Sequence, residues 1–276
     1  MILSTAPLAL APWGGLLLVG VASWLYLLAA LPMPLMRRFS VASLLGAWLL
    51  HGLLLVLDIG GVGQPELGAR LGFAPVLSMT VWLVVAVYAV ESRFVPLPAV
   101  RQWLALAGLL AVAVCAAFPG DFRPITSRLA PLHFALGVGA YGLFGAAVLH
   151  AIMLDAAERR LRSHGPGAGA ASGQSLGMPL LQLEKLTYRF VEAGFAVLTA
   201  TLVLGVASTV HWRWDDRKAV FSLMAWAVFA ALLAGRHWRG WRGRQATRWL
   251  YAGAALLLLA YVGSRFVLEV LLGRTV

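Results

Sequence analysis

The chain has 276 residues, 61% of them hydrophobic and 12% charged, against roughly 45–50% and about 25% in a typical globular chain. That balance excludes an ordinary soluble domain, which could not hide so much apolar surface from water. The formal charge of +11, from 22 basic and 11 acidic residues, would suggest nucleic acid in a soluble protein. Here the arginines cluster between apolar runs, where they set topology, so no nucleic-acid partner is expected and the lipid bilayer takes that place.

Crossing the ~30 Å hydrocarbon core takes about 20 apolar residues per helix. Such runs must be helical, because in lipid every backbone N–H and C=O has to be paired within its own segment. Charge, proline and glycine divide the chain into eight predicted spans, roughly 8–31, 40–59, 74–92, 99–118, 132–154, 190–209, 219–235 and 249–271. The sequence thus predicts an all-α fold, a polytopic membrane helix bundle of about eight transmembrane helices, with residues 1–276 as a single integral membrane domain. The first run lacks a basic n-region and a convincing cleavage site, so it reads as a span and not a removed signal. The lone cysteine, Cys115, falls in the fourth span. It leaves no disulfide framework, zinc knuckle or CxxC redox pair, and without C-x-x-C-H no c-type haem is covalently attached.

In chain order, the second span carries His51 and, two helical turns on, Asp58 on the same face. An ionisable side chain at that depth is costly and by default functional; the alternative is a neutral histidine bonded to a neighbouring helix. The fifth span opens with His133, followed by Gly137, Gly139, Gly142 and Gly145. Small residues at that density let another helix or a flat ligand approach the backbone. His150 projects from nearly the same face but about 25 Å away, so one small cofactor cannot use both, and His150 is read as packing. The long connection 155–189 contains a glycine-rich flexible linker, 165–175, with His164 solvated in it. The stretch 178–190 (MPLLQLEKLTYRF) is amphipathic enough to lie on the membrane surface.

Between the sixth and seventh spans the loop HWRWDDRK presents His211, Trp212, Trp214 and Asp215 within five residues. Interfacial tryptophan and snorkelling arginine are the bland account. Neutral imidazole is also a natural iron ligand, and indole faces suit a planar aromatic macrocycle. The turn GRHWRGWRGRQATRW follows the seventh span and includes His237; its Arg–Trp mixture fits an anionic leaflet. In the last span Arg265 lies about 9 Å deep, placed either to pair a haem propionate or to form an i, i+4 ion pair with Glu269.

Fourteen Lys and Arg residues fall in one set of loops and seven in the alternate set, with Arg265 inside the last span. The richer set is expected in the cytoplasm, which puts both termini and His51, His133 and His211 on the outer side of a bacterial inner membrane. Paired carboxylates for acid–base catalysis and midplane acids for ion-driven transport are nearly absent from the spans. Histidines with aromatic and glycine surfaces favour haem held non-covalently, b-type, by axial imidazole. His133 and His211 are the first choice of ligands and His51 the competing one. Trp212 and Trp214 would pack on the macrocycle, and Asp215 would help fix the loop.

The chain resembles the cytochrome c assembly protein family, the group containing CcsA, HemX and YpjD. The resemblance is clearest over 178–266, through Leu183-Glu184-Lys185-Leu186, Gly194-Phe195 and Leu198-Thr199. Trp212-Arg213-Trp214-Asp215-Asp216-Arg217-Lys218 is similar to a shortened tryptophan-rich haem-handling loop. Ala225-Trp226-Ala227-Val228-Phe229 and Gly240-Trp241-Arg242-Gly243-Arg244 resemble the following span and turn, and His133 with Tyr141, and His51, match less specifically. Length and layout look closest to the YpjD and HemX branch. The resemblance implies haem binding or relay that assists cytochrome c assembly, with an assembly subunit or apocytochrome as partner. In a HemX-like alternative the chain would be a membrane regulator of a haem-synthesis enzyme, and a transporter of haem or another organic solute is a further one. The family's synthases use a longer platform. Here the loop is short, Asp216 stands where they carry proline, and no histidine follows His237, so ligase activity is not expected.

Overall fold

The computed structural model describes residues 12–31, 37–59, 68–93, 98–125, 127, 129–163, 180–208 and 217–273. Its helices are α1 (Pro12–Ala30), α2 (Arg37–Ile59), α3 (Phe73–Glu91), α4 (Pro98–Ala117), α5 (Ala130–Ser163), α6 (Leu180–Ser208), α7 (Arg217–Arg239) and α8 (Gly243–Leu258). The fold class is the all-α polytopic bundle the apolar runs predict. Seven of these segments are long and apolar enough to cross a membrane, and α1 contributes a shorter apolar stretch, Gly14–Ala30. Leu17, Leu49, Trp103 and Leu110 are each more than 60% exposed. Such faces are stable only against lipid, which is as apolar as the side chains it meets.

Two features depart from the sequence expectation. The stretch 178–190 is not a separate surface helix: from Leu180 it is the first part of α6, continuous through to Ser208. Two of its polar groups are met inside the fold, Glu184 by Arg236 and Tyr188 by the Trp241 carbonyl, while Gln182, Lys185 and Arg189 stay exposed, so the amphipathic pattern marks a half-buried helix end. A two-stranded antiparallel ribbon, β1 (Gly68–Leu71) with β2 (Asp121–Pro124), was also invisible in the apolar pattern. Four-residue strands carry too little periodicity to register.

The chain forms two compact units, residues 1–130 with 265–276 and residues 131–264, and the boundary falls inside the last helical segment. In the first unit α1 packs on α2 and α4, and α3 packs on the same two, closing a four-helix ring. Close approach depends on a missing side chain: a Cβ at Gly108 of α4 would stand 2.5 Å from the Tyr26 ring of α1. Helices α2 and α3 are joined by Trp48 and Trp82, stacked at 4.9 Å and 7°. Each indole N–H donates to the other residue's carbonyl, at 3.1 and 2.9 Å.

In the second unit Phe144 of α5 stacks on Phe229 of α7 at 3.8 Å. Glycines make sockets for the pair: Gly194 of α6 faces Phe144, and Gly253 of α8 faces Phe229. Beyond Leu258 the last segment widens into two five-residue π turns, Leu259–Gly263 and Val267–Leu271. Widening disturbs the i→i+4 ladder, and the Tyr141 hydroxyl donates to the Leu257 carbonyl just before the first wide turn.

Candidate functional site

His51 and His133 occupy different surroundings. His51 on α2 is 1% exposed. Its Nδ1 lies 2.9 Å from the Tyr26 hydroxyl on α1, and its Nε2 lies 2.8 Å from Ser78 Oγ on α3. A neutral imidazole offers one donor and one acceptor, and a hydroxyl serves either role. The ring is therefore fully satisfied between two helices, and it is oriented by Tyr26 and Ser78, not by Asp58 of its own helix. The Tyr26 ring also meets it edge-on at 5.8 Å.

His133 stands in the first turn of α5 and is half-buried. Its Nδ1 lies 3.1 Å from the backbone carbonyl of Thr201 on α6. A carbonyl can only accept, so Nδ1 carries the hydrogen and, in the neutral ring, Nε2 keeps its lone pair. Among the described residues nothing hydrogen-bonds that Nε2. The ring reaches Thr201 by passing Gly205: a Cβ there would lie 3.1 Å from His133 Cε1. One turn further along, Gly137 faces the Thr201 methyl at 3.7 Å, measured from where its own Cβ would stand. An imidazole held at Nδ1 by a main-chain carbonyl and open at Nε2 is the usual arrangement of a metal-ligating histidine.

His150, the third histidine within the spans, is 1% exposed. Its Nδ1 bonds the Ala146 carbonyl of its own helix at 2.7 Å, and its ring stacks on Phe190 at 5.2 Å. This is the packing role the sequence suggested.

Arg265 is also 1% exposed. Its Nε is 2.7 Å from Glu269 Oε1, its guanidinium is 3.6 Å from Asp121 Oδ2, and it donates to the Leu71 carbonyl at 3.1 Å. Of the two sequence readings, the structure realises the ion pair. The same side chain pins both strands of the ribbon to the end of the chain. His211, Trp212, Trp214 and Asp215 lie outside the described residues. Among the described residues no group of three or more His, Cys, Asp or Glu side chains converges to hold a bare metal ion.

Sequence reasoning found the histidines but not their partners. Tyr26, Ser78 and Thr201 lie 25, 27 and 68 residues away from them, beyond any local pattern. The one available signal was Thr201 with Gly205, a small residue one turn beyond another on α6, which marks a face open to close approach.

Fold and site together define a polytopic α-helical membrane protein with an imidazole that, among the described residues, is held at one nitrogen only. The chain belongs to the cytochrome c assembly family: the model described as "Cytochrome C assembly protein" matches residues 16–272. It is similar to the inner membrane protein YpjD of Escherichia coli K12, with 28% identity over 245 residues, 85% of this chain and 88% of YpjD. It is also similar to a cytochrome c biogenesis protein CcsA of Prochlorococcus marinus, 24% identical over 223 residues, 69% of this chain and 70% of that one. CcsA of the NATL1A strain of the same species is 37% identical over 87 residues, 30% of this chain and 27% of its own. No solved structure matches the chain.

Proposed function

We propose that this protein binds or relays haem at the outward side of a bacterial inner membrane, in support of cytochrome c assembly, with His133 as an axial ligand through Nε2. The observation that carries the reading is the Nδ1 contact of His133 with the Thr201 carbonyl. It fixes the tautomer and ring orientation and leaves the Nε2 lone pair for iron. Gly205 and Gly137 let α5 and α6 approach closely enough for that contact to form. Haem would supply the redox-active iron and the porphyrin that a cytochrome needs. The chain's own part is to hold the ring of His133, to present the tryptophan loop, and to keep water from one face. His211 is the proposed second ligand, with Trp212 and Trp214 as the stacking surface and Asp215 fixing the loop. His51 ranks behind, because ligation there would first have to break a contact with Tyr26 or Ser78.

The test is an absorbance spectrum of purified protein. A Soret band is expected in the parent chain, and His133→Gly should abolish or shift the low-spin spectrum, with added imidazole restoring it. A parent chain without a Soret band after haem reconstitution, or a His133→Gly spectrum identical to the parent's, would overturn the assignment. The regulatory reading predicts no band at all. Expressed with an apocytochrome in a host lacking its own assembly system, the chain is expected to yield no covalent holocytochrome. The shortened platform would not hold vinyl groups and thiols in reacting geometry, and displacements near 1 Å can cost about a hundred-fold in rate.

A further inference from the structure

The α7–α8 turn starts a helix against the usual electrostatics. Arg242 is the N-cap of α8, in extended conformation with no side-chain cap, and no acidic residue occupies the first turn. Arg244 follows inside that turn. A helix N-terminus carries partial positive charge on unpaired N–H groups, so two arginines there repel it and one another unless an anion is close. Gly243, with φ of +55°, lets the chain turn into the helix, and a side chain at that position would lie 3.2 Å from Glu158 Oε1.

These residues line an open cleft of about 600 Å³, with Glu158 and Arg162 of α5 on one wall and Glu184 of α6 on another. The two carboxylates are already matched. Glu158 pairs with Arg162 at 3.3 Å, and Glu184 takes Arg236 at 2.8 Å. Arg242 Nε stands 3.7 Å from Glu184, beyond hydrogen-bond reach, and its side chain is 68% exposed. Among the described residues neither the Arg242 nor the Arg244 guanidinium makes a hydrogen bond. Their planar donor forks suit phosphate oxygens. Leu181, three residues before Glu184 on α6, and Trp238, two residues after Arg236 on α7, are 73% and 81% exposed, as groups facing acyl chains at a membrane interface would be.

We infer that this cleft binds the phosphate of an anionic phospholipid from the leaflet facing the arginine-rich loops, seated between Arg242, Arg244 and the uncapped start of α8. The lipid supplies the missing helix cap and neutralises the two arginines. Its glycerol and acyl chains continue over the apolar rim. The site is independent of any haem bound near His133.

The experiment is native mass spectrometry of the full chain in detergent, titrated with phosphatidylglycerol, with phosphatidylcholine and with inorganic phosphate. Phosphatidylglycerol is expected to bind at least about tenfold more tightly than phosphatidylcholine. The variant R242Q/R244Q should lose about tenfold of that affinity, since a charge-assisted hydrogen bond is worth on the order of a tenfold change in binding. Arg239→Gln, a basic change on the same turn outside the cleft, should leave it unaltered. Equal binding of the two lipids, or equal losses in R242Q/R244Q and Arg239→Gln, would overturn the site. Full competition by millimolar inorganic phosphate would reassign the cleft to a soluble anion and overturn the lipid.

Discussion

In residues 1–130 with 265–276, several polar side chains find partners inside the protein. His51 is bonded at both nitrogens, Arg265 meets two carboxylates and a carbonyl, and Trp48 and Trp82 satisfy each other. In residues 131–264 three groups keep an open valence among the described residues: His133 uses one nitrogen, Arg242 stands 3.7 Å from Glu184 without a hydrogen bond, and the Arg244 guanidinium makes none. The difference teaches where chemistry belongs. Inside a membrane protein a polar group with all its positions filled is part of the scaffold, because releasing it costs the desolvation of every partner. A group held on one side and open on the other is preorganised for something not yet present.

Substitutions at six positions break or sharpen this contrast. The largest effect is expected at Arg265. Arg265→Ala leaves Glu269 and the partly exposed Asp121 without their counter-charge; losing one member of a fully buried pair costs about 3–5 kcal/mol, which sets the upper end here. Thermal unfolding in detergent should show a loss of that order. A double variant that also removes Glu269 should be less damaged than Arg265→Ala alone, and equal damage would show the pair to be idle.

Next come the two histidines, where stability and spectrum should move in opposite senses. His51→Ala removes the imidazole partner of the Tyr26 and Ser78 hydroxyls and opens a small cavity, at a cost of about 1–3 kcal/mol. The haem spectrum should survive. His133→Ala should cost less than about 1 kcal/mol and take the spectrum with it. If stability fell more in His133→Ala while only His51→Ala lost the spectrum, the division between scaffold and site would be reversed.

A smaller loss is expected from Trp82→Phe. The stacked ring is retained, but the Trp48 carbonyl loses its donor, a change of about 1 kcal/mol readable as a modest drop in melting temperature. Full wild-type stability would mean that stacking alone joins α2 to α3. The smallest effect is Gly205→Ala. The added methyl stands 3.1 Å from His133 Cε1, so the ring must shift by a few tenths of an ångström. The haem band should move without disappearing. An unmoved band would place the ligand elsewhere.

Much of the fold was legible in the sequence, since spans longer than about 17 apolar residues are dictated by bilayer thickness. The errors fall where that rule is silent. Residues 180–190 look like an interfacial helix because Glu184, Lys185 and Arg189 interrupt the apolar run. Helix α6 carries Glu184 into an ion pair with Arg236, 52 residues on, which no window of about 20 residues contains. The ribbon of Gly68–Leu71 and Asp121–Pro124 escaped for the same reason: its strands are short and pair across α3 and α4 in the chain. Of the candidate site, the residue types were visible and their states were not.

The sequence by itself determined that this is a multi-pass helical membrane protein, with histidines inside its spans and Glu269 one turn from Arg265. These are local properties, set by hydropathy along the chain and by the 3.6-residue period that brings i and i+4 together. Only the tertiary structure decided that His51 is closed by Tyr26 and Ser78, that Thr201 takes Nδ1 of His133 while no other described residue takes Nε2, and that Asp121 joins Arg265. A ring nitrogen is filled or left open by whichever donor or acceptor the neighbouring helix delivers. That depends on helix packing, which hydropathy does not encode.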